Sequence, residues 1–196
     1  MTSSTAGSWN RIEAWLAEHA PHTFARLGPP ADPAEITAAE QTIGSPFPDP
    51  LRESLLRHDG TEHAVLLPPF WMPLSTRLIV DAWKRRTRIY ESDLSATEAA
   101  DDGDAESEFG PWWHRQWIPF AADGAGDHLV IDQRPTRVRG RIGDADHESG
   151  CRFEAHPMWA SLPALLDMTA TALESGELLE CYERVVVDTR ELDWKF

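Results

Sequence analysis

The stretch WIPFAADGAGDHLVID, residues 117–132, decides how this chain is read. It links an aromatic, strand-like run to a second apolar run through a turn holding two glycines and two aspartates. Asp123, Asp127 and Asp132 could offer oxygens to a hard cation. A calcium loop, however, needs ligands at alternate positions, a glycine at the sixth and a glutamate at the twelfth, and this spacing supplies none of these. If residues 128–132 form a strand, period two puts His128, Val130 and Asp132 on one face and Leu129 and Ile131 on the other. Asp132 then lies about 15 Å from a turn aspartate, at ~3.3 Å per residue, too far for a common metal shell. Gly124 and Gly126 accept positive φ, and Asp123 and Asp127 can bond turn backbone, so residues 123–127 read as a hairpin connection. Pro119 cannot donate to a ladder, so its strand is at an edge or bulged there.

Working outward, the residues after the hairpin keep an alternating pattern. RVRGRIG (137–143) sets Arg137, Arg139 and Arg141 against Val138, Gly140 and Ile142, which predicts a strand with one charged face. CRFEA (151–155) predicts a fourth strand. WASLPALLDMTATALESG (159–176) returns to helical spacing, with Trp159, Leu162, Leu166, Thr169 and Leu173 inward and Gly176 as the stop. LLECYERVVVD (178–188) predicts a terminal strand.

The residues before the hairpin are helical. SWNRIEAWLAEHA (8–20) aligns Trp9, Ile12, Trp15, Leu16 and His19 on one stripe, with Ser8 as the expected cap. In ADPAEITAAEQTIGS, Asp32 caps, Pro33 takes the first helical position, Glu35 completes a capping-box pattern and Gly44 ends the helix. PDPLRESLLRHDG repeats the device with Asp49, Pro50 and Gly60, and turns Leu51, Leu55 and His58 inward. HAVLLPPF (63–70) predicts a short buried strand. STRLIVDAWKRRTRIYE (75–91) predicts an amphipathic helix with Leu78, Ile79, Ala82, Trp83, Ile89 and Tyr90 inward. Its Lys84, Arg85, Arg86 and Arg88 lie towards the C-terminal end, where the dipole favours positive charge. Helices, a strand cluster and a closing helix together predict one α+β domain with a mostly antiparallel sheet. The expected bounds are 1–177 for the domain, with an acidic insertion at about 91–110, and 178–196 for a C-terminal extension, a strand packed on the same domain.

The charge pattern bears on partners. Thirty-three acidic against 18 basic side chains leave a net charge of −15. Such a surface repels nucleic acid and anionic lipid and attracts basic protein. Residues 91–108 carry eight acidic side chains and no basic one, which predicts an exposed acidic loop. Nine tryptophans, each able to bury roughly 200 Å², must anchor much of the interior. WWHRQW (112–117) offers a core cluster or a recognition surface, because Trp and Arg dominate interface hot spots. The two cysteines, Cys151 and Cys181, have no metal or framework spacing and are expected as thiols. The N-terminal stretch lacks the signature of a secretion signal, and a cytoplasmic setting is expected.

Candidate chemistry is sparse. His19 and His22 flank Pro21, which breaks a zincin helix. His58, Asp59 and His63 could serve acid–base work, but a helix C-cap followed by an Asp-Gly turn is the preferred reading. No P-loop, dinucleotide fingerprint or nucleophile elbow occurs. No catalytic, cofactor-binding or metal residue is assigned.

The order of these motifs resembles the SUKH superfamily, also known as the Smi/Knr family after fungal cell-wall-synthesis regulators. The matching pieces are residues 29–60, PPADPAEITAAEQTIGSPFPDPLRESLLRHDG, the hairpin 117–132, and Gly140 before the closing helix. The resemblance covers about residues 9 to 175; the insertion at 91–110 and the tail beyond about 177 depart from it. It implies a single α+β domain that binds other proteins without catalysis: a bacterial immunity protein neutralising a toxin such as a nuclease, or a regulatory scaffold of the fungal kind. Joined to the charge pattern, it leads to the expectation of an immunity protein that occludes a basic site, with a regulatory scaffold as the alternative and a metal-dependent hydrolase third. Asp101, Asp102, Asp104, Glu106 and Glu108 are expected to steer the basic partner, and Trp112 and Trp113 to anchor it. The residues leave the partner's identity and the oligomeric state open.

Overall fold

The computed structural model describes residues 4–93, 106–154 and 156–196. Helix α1 spans Thr5–His19 and is capped by Ser4, whose Oγ accepts from Gly7 N at 3.1 Å. The expected cap, Ser8, lies one turn inside and is buried. A single turn, α2 (Pro21–Phe24), follows. Helix α3 (Pro33–Ile43) starts and stops where its sequence predicts: Asp32 caps through Ala34 N, one residue short of the capping-box bond, and Gly44 closes it at φ 77°. Helix α4 (Asp49–Arg57) begins one residue early, with Pro48 in the cap position and Asp49 in the first turn, where a negative charge suits the dipole.

The segment read as a strand at 63–70 is not one. Residues 68–70 turn around Pro68–Pro69, Leu67 and Trp71 form a single bridge across the turn, and the chain joins the sheet only afterwards, in β1 (Met72–Pro73). Helix α5 (Thr76–Asp93) is followed by β2 (Trp117–Ala122), β3 (His128–Asp132), β4 (Ile142–Asp146) and β5 (Gly150–Arg152). These form an antiparallel meander in the order β1-β2-β3-β4-β5. The opening stretch is thus the β2–β3 hairpin. Asp123 Oδ1 accepts from Ala125 N, Gly126 N and Asp127 N at 2.8–3.0 Å, which closes the turn. The β2–β3 register shifts between Pro119 and Ala121, as a proline inside a ladder requires.

Residues 137–140, expected to be strand, form a turn instead, and β4 begins at Ile142. Gly140 takes φ 93° and donates to Asp132 O at 2.7 Å, folding 133–140 back on the end of β3. The three alternating arginines leave in different directions: Arg137 to Glu106, Arg139 to Gln133, Arg141 to Asp132 and Ser107 O.

Period two in β3 separates two apolar layers. Leu129 and Ile131, with Ile118, Phe120 and Ile142, join the main core built on Ile12, Leu16, Ile36 and Leu166 from the helices. Val130 and Ala145 face a second core with Trp113, Trp117, Cys151 and Phe153. The sheet is therefore covered on both sides. Helix α6 (Leu162–Ser175) packs along α1. The tail is a hairpin rather than one added strand: β6 (Glu183–Val186) pairs with β7 (Leu192–Lys195) as a separate two-stranded sheet. Leu192 and Trp194 seal it onto the main core.

Candidate functional site

The His58-Asp59-Gly60 turn sets the position of α5. Gly60 has φ 75°, and an added Cβ there would lie 2.6 Å from Leu74 C and 2.9 Å from Pro73 O. Asp59 N donates to Pro29 O, and its carboxylate accepts from Thr76 N and Thr76 Oγ1. His58 lies between Gly28 O and Glu13 Oε1, each at 2.8 Å from a ring nitrogen. Two of the three residues read as possible acid–base groups, His58 and Asp59, are thus engaged in holding segments together, while His63 stands apart at a positive φ of 54°.

With α5 so placed, a groove of about 1060 Å³ opens between it and the β2–β3 hairpin. Leu78, Ala82, Arg85 and Ile89 form the helix wall, at i, i+4, i+7 and i+11 on one stripe. Gly124, Gly126 and His128 form the hairpin wall, and Trp112 and His147 also line it. Ile89, expected to face inward, is 43% exposed here.

Arg86 lies at the groove's buried edge, only 2% exposed. Its guanidinium donates to Ala145 O at 2.5 Å, Gly126 O at 3.0 Å and Asp146 O at 3.3 Å. It stands 5.0 Å from the Trp112 ring centroid and 5.9 Å from that of Trp113. Burial pulls its pKa down, Asp127 and Asp146 pull it back up in part, and Arg85 adds a repulsion. Beside it His128, also 2% exposed, turns Nε2 towards Arg85 at 3.5 Å. Burial first, and then Arg86 and Arg85, push the imidazole down to about 4, so it is neutral at ordinary pH. Among the described residues Nδ1 has no hydrogen-bond partner; the Gly126 backbone exerts a weak opposing pull from outside bonding geometry.

At the rim, Asp127 Oδ1 accepts from His147 N at 2.8 Å and faces His147 Nδ1 at 2.7 Å. This contact raises the His147 pKa, and the ring is exposed. Asp127, Asp146 and His147 each place a ligand atom within 4.8 Å of the others, a geometry that could hold a cation. The rise along β3 carries Asp132 to the opposite end, where it pairs with Arg134 at 2.7 Å and Arg141 at 3.5 Å. The hairpin aspartates thus share no site, as their spacing predicts. The His147 neighbourhood gave no signal in the sequence because it depends on the β3–β4 register.

Of the residues expected to meet a partner, Asp101, Asp102 and Asp104 lie outside the described residues. Glu106 pairs with Arg137 at 2.7 Å, and Glu108 with Arg152 at 3.2 Å. These two acids bind the chain's own arginines in an internal clamp. Trp112 is half-buried and donates to His147 O at 3.0 Å. Trp113 is fully buried, packs edge-on to Trp117 and donates to Thr87 Oγ1 at 3.0 Å. The two rings both pack around Arg86, and it is Trp113 that goes fully to the core. It presents no ring to a partner in this conformation. Sequence reasoning missed Arg85, Arg86 and His128 as a group, because thirty-odd residues separate the helix from the strand.

This fold and these motifs have relatives of known name. The cell wall assembly regulator SMI1 of Saccharomyces cerevisiae is 23% identical over 168 residues, covering 68% of this chain and 33% of that protein. A glucan synthesis regulatory protein of Neurospora crassa is 25% identical, covering 95% of this chain and 41% of its own length. The cell wall biosynthesis/cell cycle regulator smi1 of Schizosaccharomyces pombe is 26% identical, covering 88% and 36%. The chain spans between a third and about two fifths of the length of these curated relatives. The family model for SMI1/KNR4 matches residues 30–168, from the segment before α3 into α6 and across the groove, and the chain belongs to that SMI1/KNR4 family (SUKH-1).

Proposed function

We propose that this chain is a non-catalytic regulatory module that works by docking another protein in the groove between α5 and the β2–β3 hairpin. One observation carries the reading. The groove alternates apolar side chains (Leu78, Ile89, Met72) with arginine and tryptophan (Arg85, Arg86, Trp112) around an opening far larger than a single ion. Arginine and aromatic side chains around an apolar strip are the composition from which binding hot spots are made. Ile89 is exposed there although it could be buried by a partner.

The relatives named above are all regulators, which favours a regulatory scaffold over toxin neutralisation. The net charge of −15 suits a partner with a positive overall field, and such a field speeds encounter. The acids at 106 and 108 contribute less to that field at close range, because Arg137 and Arg152 already face them.

The test is site-specific photocrosslinking in the source cell. A photoreactive side chain at Ile89 should capture one defined protein, whereas the same group at Glu183, on the separate C-terminal hairpin, should not. Equal capture from both positions, or none from Ile89, would remove the groove from the function.

A further inference from the structure

We infer that the hairpin end of the groove is a carboxylate-recognition subsite, which takes an aspartate or glutamate side chain from the docking segment of the partner between Arg85, Arg86 and His128. The inference rests on the docking role proposed above and names its chemistry.

Two separate deficits meet at this point. The first is charge. Arg86 is a buried cation whose contacts among the described residues are backbone carbonyls and aromatic rings, with no carboxylate within ion-pairing distance. Carbonyls accept from its N–H groups, and Asp127 and Asp146 offset its charge only in part and without direct contact, whereas buried charges are ordinarily paired. The nearest acids are committed elsewhere: Asp127 to His147, and Asp146 to Glu148 N and Ser149 N.

The second deficit is a hydrogen-bond acceptor. The Nε2 atom of His128 faces the Arg85 guanidinium, which can only donate. Nε2 is therefore the acceptor, and the proton of the neutral ring sits on Nδ1. Nδ1–H is buried without a partner among the described residues. An unmet buried donor is costly, and each one calls for an explanation. A carboxylate brings both missing things at once: a negative charge for the two guanidinium groups and, once side chains at the groove's edge give way to admit it, an acceptor for Nδ1–H, which the free protein shields from solvent. Arg85, exposed and already in contact with the ring, is the outer jaw.

The occupant is a polypeptide rather than a free anion because the subsite is only part of the groove. Apolar side chains flank it along α5, Leu78 and Ala82 on one side of Arg85 and Ile89 on the other, and acids also line the groove: Asp81, one turn from Arg85, and Glu62. A segment with one acidic side chain, apolar residues beside it and a basic residue further on matches the groove along its length.

Selection of short random peptides on the full-length chain, followed by fluorescence anisotropy on synthetic versions, tests this. The selected peptides should share one Asp or Glu, and its replacement by Asn or Gln should weaken binding about tenfold or more, as loss of a charge-assisted pair does. Arg85→Glu should weaken binding as much and should restore it for peptides carrying Lys at the shared position. Peptides that lose affinity on Ile89→Asp but tolerate Arg85→Glu, with no acidic preference, would overturn the carboxylate subsite and leave the docking groove standing. Peptides indifferent to both substitutions, or failure to select any, would overturn the groove itself.

Discussion

Asp59 holds the first turn of α5 from seventeen residues away: one carboxylate oxygen accepts from Thr76 N at 2.6 Å and from Thr76 Oγ1 at 2.7 Å. Asp59→Ala removes this cap and should cost about 1–2 kcal/mol, with Asp59→Asn costing less because an acceptor remains. Gly60→Ala should cost about 3 kcal/mol or more, since the new methyl meets backbone at a left-handed φ. Urea unfolding monitored by far-UV circular dichroism separates the three; a wild-type midpoint for Asp59→Ala would show that the cap contributes nothing.

The other end of β3 holds a buried ion pair. Asp132 accepts from Arg134 Nε and N at 3.0 Å and from Arg141 Nε at 3.5 Å, and the Arg134 and Arg141 guanidinium groups lie over Trp117 and Phe153. Asp132→Asn leaves buried cations without this carboxylate and should cost about 3–5 kcal/mol. Thermal unfolding measures it. A loss below about 1 kcal/mol, the size seen for exposed pairs, would contradict the burial.

His128 makes stability depend on pH. Its folded pKa is about 4 and its unfolded value 6.5, so between these the unfolded chain binds more protons. Stability from this residue is complete above pH 6.5 and is lost as pH falls through 6.5 towards 4, by up to about 3 kcal/mol. Asp144 acts in the opposite direction. Though exposed as a residue, its carboxyl is pushed up to about 6, by burial first and then by Asp127 and Asp146. The difference between wild type and His128→Gln isolates the histidine: their stabilities should diverge steadily from pH 4 to 6.5. Parallel curves would place the His128 pKa near its ordinary value.

The two thiols should react very differently. Cys151 is buried in the second core, where burial, Asp144 and Asp132 drive its pKa far upward, whereas Cys181 is exposed. Since the thiolate is the reactive form, a disulfide reagent should modify Cys181 in the folded protein and reach Cys151 only on unfolding. Rapid modification of Cys151 in the Cys181→Ser variant would mean that the Trp113–Phe153 layer opens readily.

What the sequence made legible was local. Asp123 with Gly124 and Gly126 specified the hairpin, Asp32 with Pro33 and Gly44 specified α3, and Pro119 announced its bulge. Each is a signal within about five residues of the feature it controls. The order of helices, strand cluster and closing helix carried the α+β class, and the family resemblance agreed with it. The turn at 137–140 was misread because three arginines happened to alternate, while their partners, Glu106, Gln133 and Asp132, lie in other parts of the chain. The sequence assigns Arg86 only to the C-terminal part of its helix; it is buried because its carbonyl acceptors arrive from the β2–β3 turn and β4. The groove itself joins residues from 28 to 147, and no spacing rule announces such a meeting.

The C-terminal hairpin alters how a minimal version of this protein should be cut. The recognisable span stops at residue 168, inside α6, and begins after α1. Yet Trp194 Nε1 donates to Leu66 O, Leu192 N to Thr23 Oγ1, and Arg11 of α1 grips Asp167 and Glu174 of α6. The packed unit is larger than the span that the family model matches. A fragment trimmed to the family boundaries would strip the lid from Leu66 and emerge sticky and half-folded.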